Sequence, residues 1–260
     1  MNGLTVERRG TLGGPPLVLL HGWAMHSGIW QGWLPRLQAW ELWLVDLPGH
    51  GCNAALPLPD QPGAVVDALL SQVPARASWL GWSMGGLVAL QAALQAPERV
   101  NGLVMLAATP CFVQRPGWPH GKAAQVFQAF ARSLQQDRAA LLEQFLLLEI
   151  EGMPDARRWL RRMRQWLEQR PAATQQALEQ GLNWLERLDL RHALPGLGCP
   201  SLWLAGSRDR LVHPKAMAEA AQLAGGRYQC CVGAVHAPFI SHPEWVAGQL
   251  EDFVHVTASA

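Results

Sequence analysis

The chain predicts an α/β fold in which a mostly parallel sheet carries helices on both faces and an all-helical segment is inserted after the fourth strand of the parallel set. Three observations carry this reading. Short β-type runs alternate with stretches of helical periodicity. The tract Gly81-Trp82-Ser83-Met84-Gly85-Gly86 joins one apolar run, Ala77 to Trp82, to the helix-like Leu87-Val88-Ala89-Leu90 through a turn that small residues permit. Between about Phe112 and Asp189 the alternation stops, and every pattern there reads as helical.

Taken in order, Leu4–Arg9 reads as an antiparallel edge strand. Leu17–Leu20, Leu42–Asp46, Ser78–Trp82, Leu103–Ala108, Ser201–Ala205 and Arg227–Val232 read as the parallel strands. Val65–Val73, Gly86–Ala96, Pro214–Ala224 and Pro243–Val254 read as the crossover helices. Asp46-Leu47-Pro48-Gly49-His50-Gly51 is a rigid turn, taken as architectural because Asp46 has no evident histidine to serve. Breaks near Gly117-Trp118-Pro119, Gly152-Met153-Pro154 and Arg170-Pro171 divide the insertion into about four helices. The expected division is a core of residues 1–111 and 190–260 with a helical cap of residues 112–189 over the catalytic edge of the sheet.

Composition narrows the function classes. With 260 residues and 49% hydrophobic content, the chain is long enough for one large core plus an inserted subdomain. A formal net charge of +1 gives no general attraction to nucleic acid or to a membrane surface. No apolar run approaches a membrane span, and the first ten residues lack the apolar stretch of a signal peptide. Five cysteines, an odd number without ligand-like spacing, argue against a complete disulfide framework and against a metal site. A cytoplasmic, monomeric protein without metal or cofactor is the expectation.

Ser83 sits where a strand turns sharply into a helix, the arrangement that holds a nucleophilic hydroxyl in a strained, exposed position. A serine hydroxyl is a weak nucleophile at neutral pH, so this reading requires a histidine base and a carboxylate that orients it. Asp209 directly follows the strand-like Ser201–Ala205, at the carboxyl end where such sheets gather active groups. The plainer alternative for Asp209 is a surface turn paired with Arg208 or Arg210. His236 follows the last strand-like run and is preferred over His242, which Pro243 places at a helix start. The order serine, acid, histidine is that of a nucleophile elbow. Backbone N–H groups of Trp23, in His21-Gly22-Trp23 after the first parallel strand, and of Met84 are the expected oxyanion donors.

One helix of the insertion is strongly basic. From Asp155 to Gln169, the apolar Trp159, Leu160, Met163, Trp166 and Leu167 recur at helical spacing and should be buried. Arg157, Arg161 and Arg164 follow on another face with Arg158 and Arg162 alongside, and only Asp155 and Glu168 offset them. Such a face suits an acidic partner, although an ordinary solvated face reads the same way from charge alone.

The segments Leu19-Leu20-His21-Gly22-Trp23, Asp46 to Gly51, Gly81 to Gly86, Thr109-Pro110-Cys111-Phe112 and His236 to Pro243 together resemble the pimeloyl-[acyl-carrier protein] methyl ester carboxylesterases, members of the α/β-hydrolase fold superfamily. The likeness spans essentially the whole chain. It implies hydrolysis of a methyl ester at the far end of a pimeloyl chain on acyl carrier protein, a step of biotin synthesis, with small esters as surrogate substrates. It further implies an acyl channel formed by Trp23, Trp82, Met84, Phe145, Leu146, Leu147, Leu148, Glu149 and His236, and carrier docking at Arg157 and Arg161. Ala140 and Gln144 stand where some relatives carry further basic residues, so docking is expected to be weaker or differently arranged. A general short-chain carboxylesterase and a non-turnover ligand receptor on the same fold remain open at this point.

Overall fold

The computed structural model of the chain describes residues 3–258, with side chains described through residue 254. The outermost positions of the expected core, 1–2 and 259–260, lie outside the described residues. Seven strands form one sheet in the order β1-β3-β2-β4-β5-β6-β7. They are β1 (Val6–Gly10), β2 (Pro16–Leu20), β3 (Glu41–Val45), β4 (Ala77–Trp82), β5 (Val100–Leu106), β6 (Ser201–Gly206) and β7 (Arg227–Cys231). β1 pairs antiparallel with β3, and every other neighbouring pair is parallel.

Burial follows position in the sheet. All six residues of β4 and of β6 are buried, as continuous apolar strands with helices on both faces must be. The edge strand β7 instead alternates, with Arg227 and Gln229 exposed, so a polar sequence still forms a strand there. Strand β5 begins at Val100 and ends at Leu106, earlier than the expected Leu103–Ala108; Ala107 takes a positive φ of 44°, which breaks the extended run.

The helices after the strands are α1 (Pro62–Leu70), whose first residue is a proline pre-set for a helix start, and α2 (Met84–Gln95), which begins at the residue after Ser83. Between β5 and β6 lie four α-helices: α3 (Ala124–Gln136), α4 (Arg138–Glu149), α5 (Ala156–Leu167) and α6 (Gln175–Arg187). The expectation that this stretch is helical throughout needs correction at its start. Residues 112–123 form a looped segment closed by bridges between Val113 and Lys122 and between Arg115 and Trp118, because glycines and prolines there prevent a helix. The remaining α-helices are α7 (Pro214–Leu223), the short α8 (Pro238–Ser241) and α9 (Pro243–Ala258). Among the described residues, no helix is long and apolar enough to cross a membrane.

The four-helix segment is tied to the sheet by charge as well as by packing. Arg170, just beyond α5, pairs with Asp46 at 2.9 Å and with Glu7 on β1. Asp46 also accepts from the Ser27 and Cys52 backbone N–H groups, each at 2.7 Å. Burial works to raise its pKa, but the nearby His21 and those backbone donors prevail and hold it well below the usual carboxylate range. Asp46 is therefore architectural, as its place in a rigid turn suggested, and its partner is an arginine more than a hundred residues away.

Candidate active site

Ser83, His236 and Asp209 arise from three loops at the carboxyl ends of β4, β7 and β6, where the strands deliver their following residues to one edge of the sheet. Ser83 has φ 53° and ψ −121°, a conformation that an L-residue keeps only when its surroundings impose it. Those surroundings are glycines pressed against backbone. A Cβ on Gly81 would lie 2.3 Å from the Gly85 carbonyl oxygen, and one on Gly85 would lie 2.4 Å from that of Leu20. Only glycine therefore lets β4, α2 and the end of β2 meet, and the meeting fixes Ser83.

The side chains converge. Ser83 Oγ lies 2.9 Å from His236 Nε2, and His236 Nδ1 lies 2.8 and 3.0 Å from the two Asp209 carboxylate oxygens. Asp209 Oδ1 also accepts from the Leu211 and Val212 N–H groups at 2.8 and 2.9 Å, so the carboxylate is locked in place. All three residues are buried. Burial opposes the imidazolium, but the Asp209 and Glu149 carboxyl groups outweigh it and raise the His236 pKa above its ordinary value. The arrangement gives a hydroxyl an adjacent base whose tautomer is set by a fixed carboxylate, the layout of acyl transfer.

The His21-Gly22-Trp23 loop lies against Ser83: a Cβ on Gly22 would be 3.3 Å from the serine Cβ. His21 braces the loop, with its Nε2 accepting from the Leu47 N–H at 2.9 Å and its Nδ1 side 2.8 Å from the Gly22 carbonyl oxygen. Burial and the neighbouring His50 push the His21 pKa down to about 3, so it stands as a neutral bridge between loops. Met84 is the first residue of α2, and its N–H has no intrahelical partner.

The cavity at Ser83 is lined by Trp23, Phe112, Lys122, Val126, Phe127, Phe130, Phe145, Leu182, Leu185 and Leu211. Two of the expected channel residues, Trp23 and Phe145, line it, with rings edge-on at 4.8 Å. Leu146 lines an adjoining cleft with Arg164 and Leu167, and Phe145 borders both spaces. The other expected wall residues are placed elsewhere. Trp82 is fully buried, and its indole N–H donates to the His236 carbonyl oxygen at 2.8 Å, so it braces the base. The Met84 side chain is buried beneath α6, close to Gly181. Leu147 is 43% exposed, and Leu148 is half-buried outside the cavity lining, because a helix presents only one face to the space below. Glu149 is buried beside the base, with its Oε2 3.8 Å from His236 Nε2.

Sequence reasoning missed Phe127, Phe130, Leu182 and Leu185, which reach the cavity from α3 and α6. Their helical spacing was visible, but that spacing marks a buried face without saying whether the face meets core or cavity. On α5, Leu160, Met163 and Trp166 are buried and Trp159 and Leu167 half-buried, as their periodicity predicts. Arg164 is offset by Glu143 of α4, an acid that the helix's own sequence did not reveal. Arg157, Arg158, Arg161 and Arg162 are exposed and form no ion pair among the described residues; Arg162 stacks over Trp159 and Trp166.

Comparison with known proteins identifies the family. Residues 15–243 match the family model described as the alpha/beta hydrolase fold. A pimeloyl-[acyl-carrier protein] methyl ester esterase of Stenotrophomonas maltophilia is 49% identical over 243 residues, covering 93% of each chain. One of Xylella fastidiosa is 44% identical over 245 residues, covering 93% of this chain and 95% of its own. Among solved structures, an esterase from Exiguobacterium antarcticum superposes with a TM-score of 0.84 at 24% identity, over 97% of this chain and 95% of that one. An enol-lactonase from Burkholderia xenovorans gives 0.82 at 21% identity, over 97% and 96%. These two likenesses concern the fold alone. Identity and coverage at this level place the chain in the α/β-hydrolase family, as a member of its pimeloyl-[acyl-carrier protein] methyl ester esterase group.

Proposed function

We propose that this protein is a serine carboxylesterase that hydrolyses the methyl ester of pimeloyl-[acyl-carrier protein] methyl ester, releasing methanol and leaving pimeloyl-[acyl-carrier protein] for biotin synthesis. The observation that carries the reading is the buried Ser83–His236–Asp209 relay opening onto an apolar cavity walled by α3, α4 and α6, with the neighbouring α5 carrying four arginines that form no ion pair among the described residues. The relatives at 44 and 49% identity bear this activity in their names.

In this mechanism His236 removes the Ser83 proton, and Ser83 attacks the ester carbonyl. The Trp23 and Met84 N–H groups stabilise the oxyanion. His236 then protonates departing methanol and activates the water that releases the acyl group, while Asp209 stabilises the imidazolium. Residues 112–189 act as the cap that excludes water, and residues 1–111 with 190–260 supply the chemistry. The acyl chain lies against Trp23 and Phe145, and Leu146 continues the path into the cleft that Arg164 borders. An acidic carrier protein docks on Arg157 and Arg161, and the enzyme works as a monomer.

Reversing the charge of Arg157 and Arg161 tests the docking. Carrier-linked turnover should fall, most steeply at low salt, while hydrolysis of p-nitrophenyl acetate stays the same. Equal loss on both substrates would assign α5 a structural role instead. Absence of multiple turnover on every ester would favour the ligand-receptor reading.

A further inference from the structure

The mechanism gives the buried Glu149 beside the base no task. Glu149 ends α4 with 1% of its surface exposed, and its Oε2 has no hydrogen-bond partner. That oxygen lies 3.8 Å from His236 Nε2, the nitrogen that also faces Ser83 Oγ at 2.9 Å. The separation is too long for a hydrogen bond, yet a side-chain movement of about 1 Å closes it. The two residues are held together through the backbone, since the Ala237 N–H donates to the Glu149 carbonyl oxygen at 3.2 Å. A buried carboxyl oxygen without a hydrogen-bond partner is costly, and so a group placed at this nitrogen needs an explanation beyond packing.

We propose that Glu149 is a positioning residue that shares one proton with the base His236, so that the enzyme's proton-accepting form is set by the pair and not by the imidazole alone. Two arrangements of that proton compete. With the proton on Glu149, His236 is neutral and accepts the Ser83 proton; with the proton on His236, an imidazolium faces a carboxylate and cannot act as base. Loss of the shared proton at higher pH leaves a neutral imidazole beside an anionic carboxylate, which favours the imidazolium that forms during attack. No atoms are exchanged beyond this proton, which moves between Nε2 and the carboxyl oxygen or leaves to solvent.

The surroundings are consistent with this sharing. Burial raises the Glu149 pKa to about 8, partly opposed by His236 and reinforced by Asp209. His236 is raised as well, against the effect of burial, so neither group titrates at its ordinary value. The other charged groups acting on the pair are Asp209, which favours the imidazolium and disfavours the Glu149 carboxylate, and Lys122, which disfavours the imidazolium. Strongly interacting neighbours of this kind titrate as a unit in two steps.

The experiment is the pH dependence of kcat/KM for p-nitrophenyl acetate, a substrate that needs the relay but no carrier protein, so failure of the carrier reading does not disturb it. For Glu149→Gln, of nearly the same size, the midpoint of the acid limb should fall by about one pH unit, whatever happens to the plateau. Glu149→Met should shift it in the same direction. An unchanged or raised midpoint in folded variants overturns the proposal. Should both variants fail to fold, the 15N NMR titration of the His236 imidazole in the unsubstituted protein decides: two steps support the shared proton, and a single-step curve overturns it.

Discussion

The backbone conformation of Ser83 gives a stability prediction that can be separated from catalysis by comparing two inactive variants. Ser83→Ala and Ser83→Gly both lack the hydroxyl and both lose the 2.9 Å contact to His236, so that loss cancels between them. What differs is the Cβ. At φ 53° and ψ −121°, a side chain holds the backbone in a region that costs about 1–3 kcal/mol, and alanine retains that strain while glycine relieves it. Glycine in turn loses about 0.4–1 kcal/mol more backbone entropy on folding. The balance makes Ser83→Gly the more stable variant by about 1 kcal/mol, which in a chain of this length is about 2–4 °C in melting temperature. Thermal unfolding followed by circular dichroism, with both proteins at the same pH and concentration, reads the difference. Equal melting temperatures, or a more stable alanine variant, would show that the elbow stores no strain at residue 83.

The same geometry sets the remaining expectations. Asp209→Asn should lower kcat by about 10⁴-fold on any ester, because the amide cannot hold the His236 tautomer, with little change in KM; a loss under tenfold would contradict the orienting role. Trp82→Phe removes the N–H that fixes the His236 carbonyl, so kcat on p-nitrophenyl acetate should fall while stability drops by about 1 kcal/mol. Unchanged turnover would reduce Trp82 to packing. Arg170→Gln leaves Asp46 as a buried carboxylate without its countercharge and should destabilise the protein by about 3 kcal/mol near neutral pH. Asp46 has a folded pKa below its unfolded value, so its contribution is complete above about pH 4 and is lost as pH falls towards the folded value. The gap between Arg170→Gln and the parent should therefore narrow on acidification, and a gap that widens instead would contradict this pairing.

Much of the molecule was legible because local pattern and tertiary outcome coincide there. Buried parallel strands are apolar without interruption, so β2, β4 and β6 declared themselves, and Ser83 was marked by glycines that backbone contact requires. The positions of Asp209 and His236 followed from the strands preceding them. Legibility failed where one helix must serve two surroundings. Phe145 to Glu149 read as a single channel-lining stripe, yet five consecutive helical residues span more than a full turn and cannot share a wall. Phe145 meets the cavity, Leu147 the solvent, and Glu149 the Nε2 edge of His236. Partners distant in sequence were equally hidden: nothing local to Asp46 names Arg170, and nothing local to Arg164 names Glu143. The loop at 112–123 was absorbed into a helical segment, although its Gly117 and Pro119 were already read as a break.

Intact-protein mass spectrometry of pimeloyl-carrier methyl ester, incubated with the parent enzyme and with Ser83→Ala, bears most directly on the whole account. The parent should convert the carrier to a species lighter by one methylene, with the pimeloyl chain still attached, and Ser83→Ala should leave it unchanged. Release of free carrier by thioester cleavage, or equal conversion by Ser83→Ala, would contradict both the substrate orientation and the nucleophile.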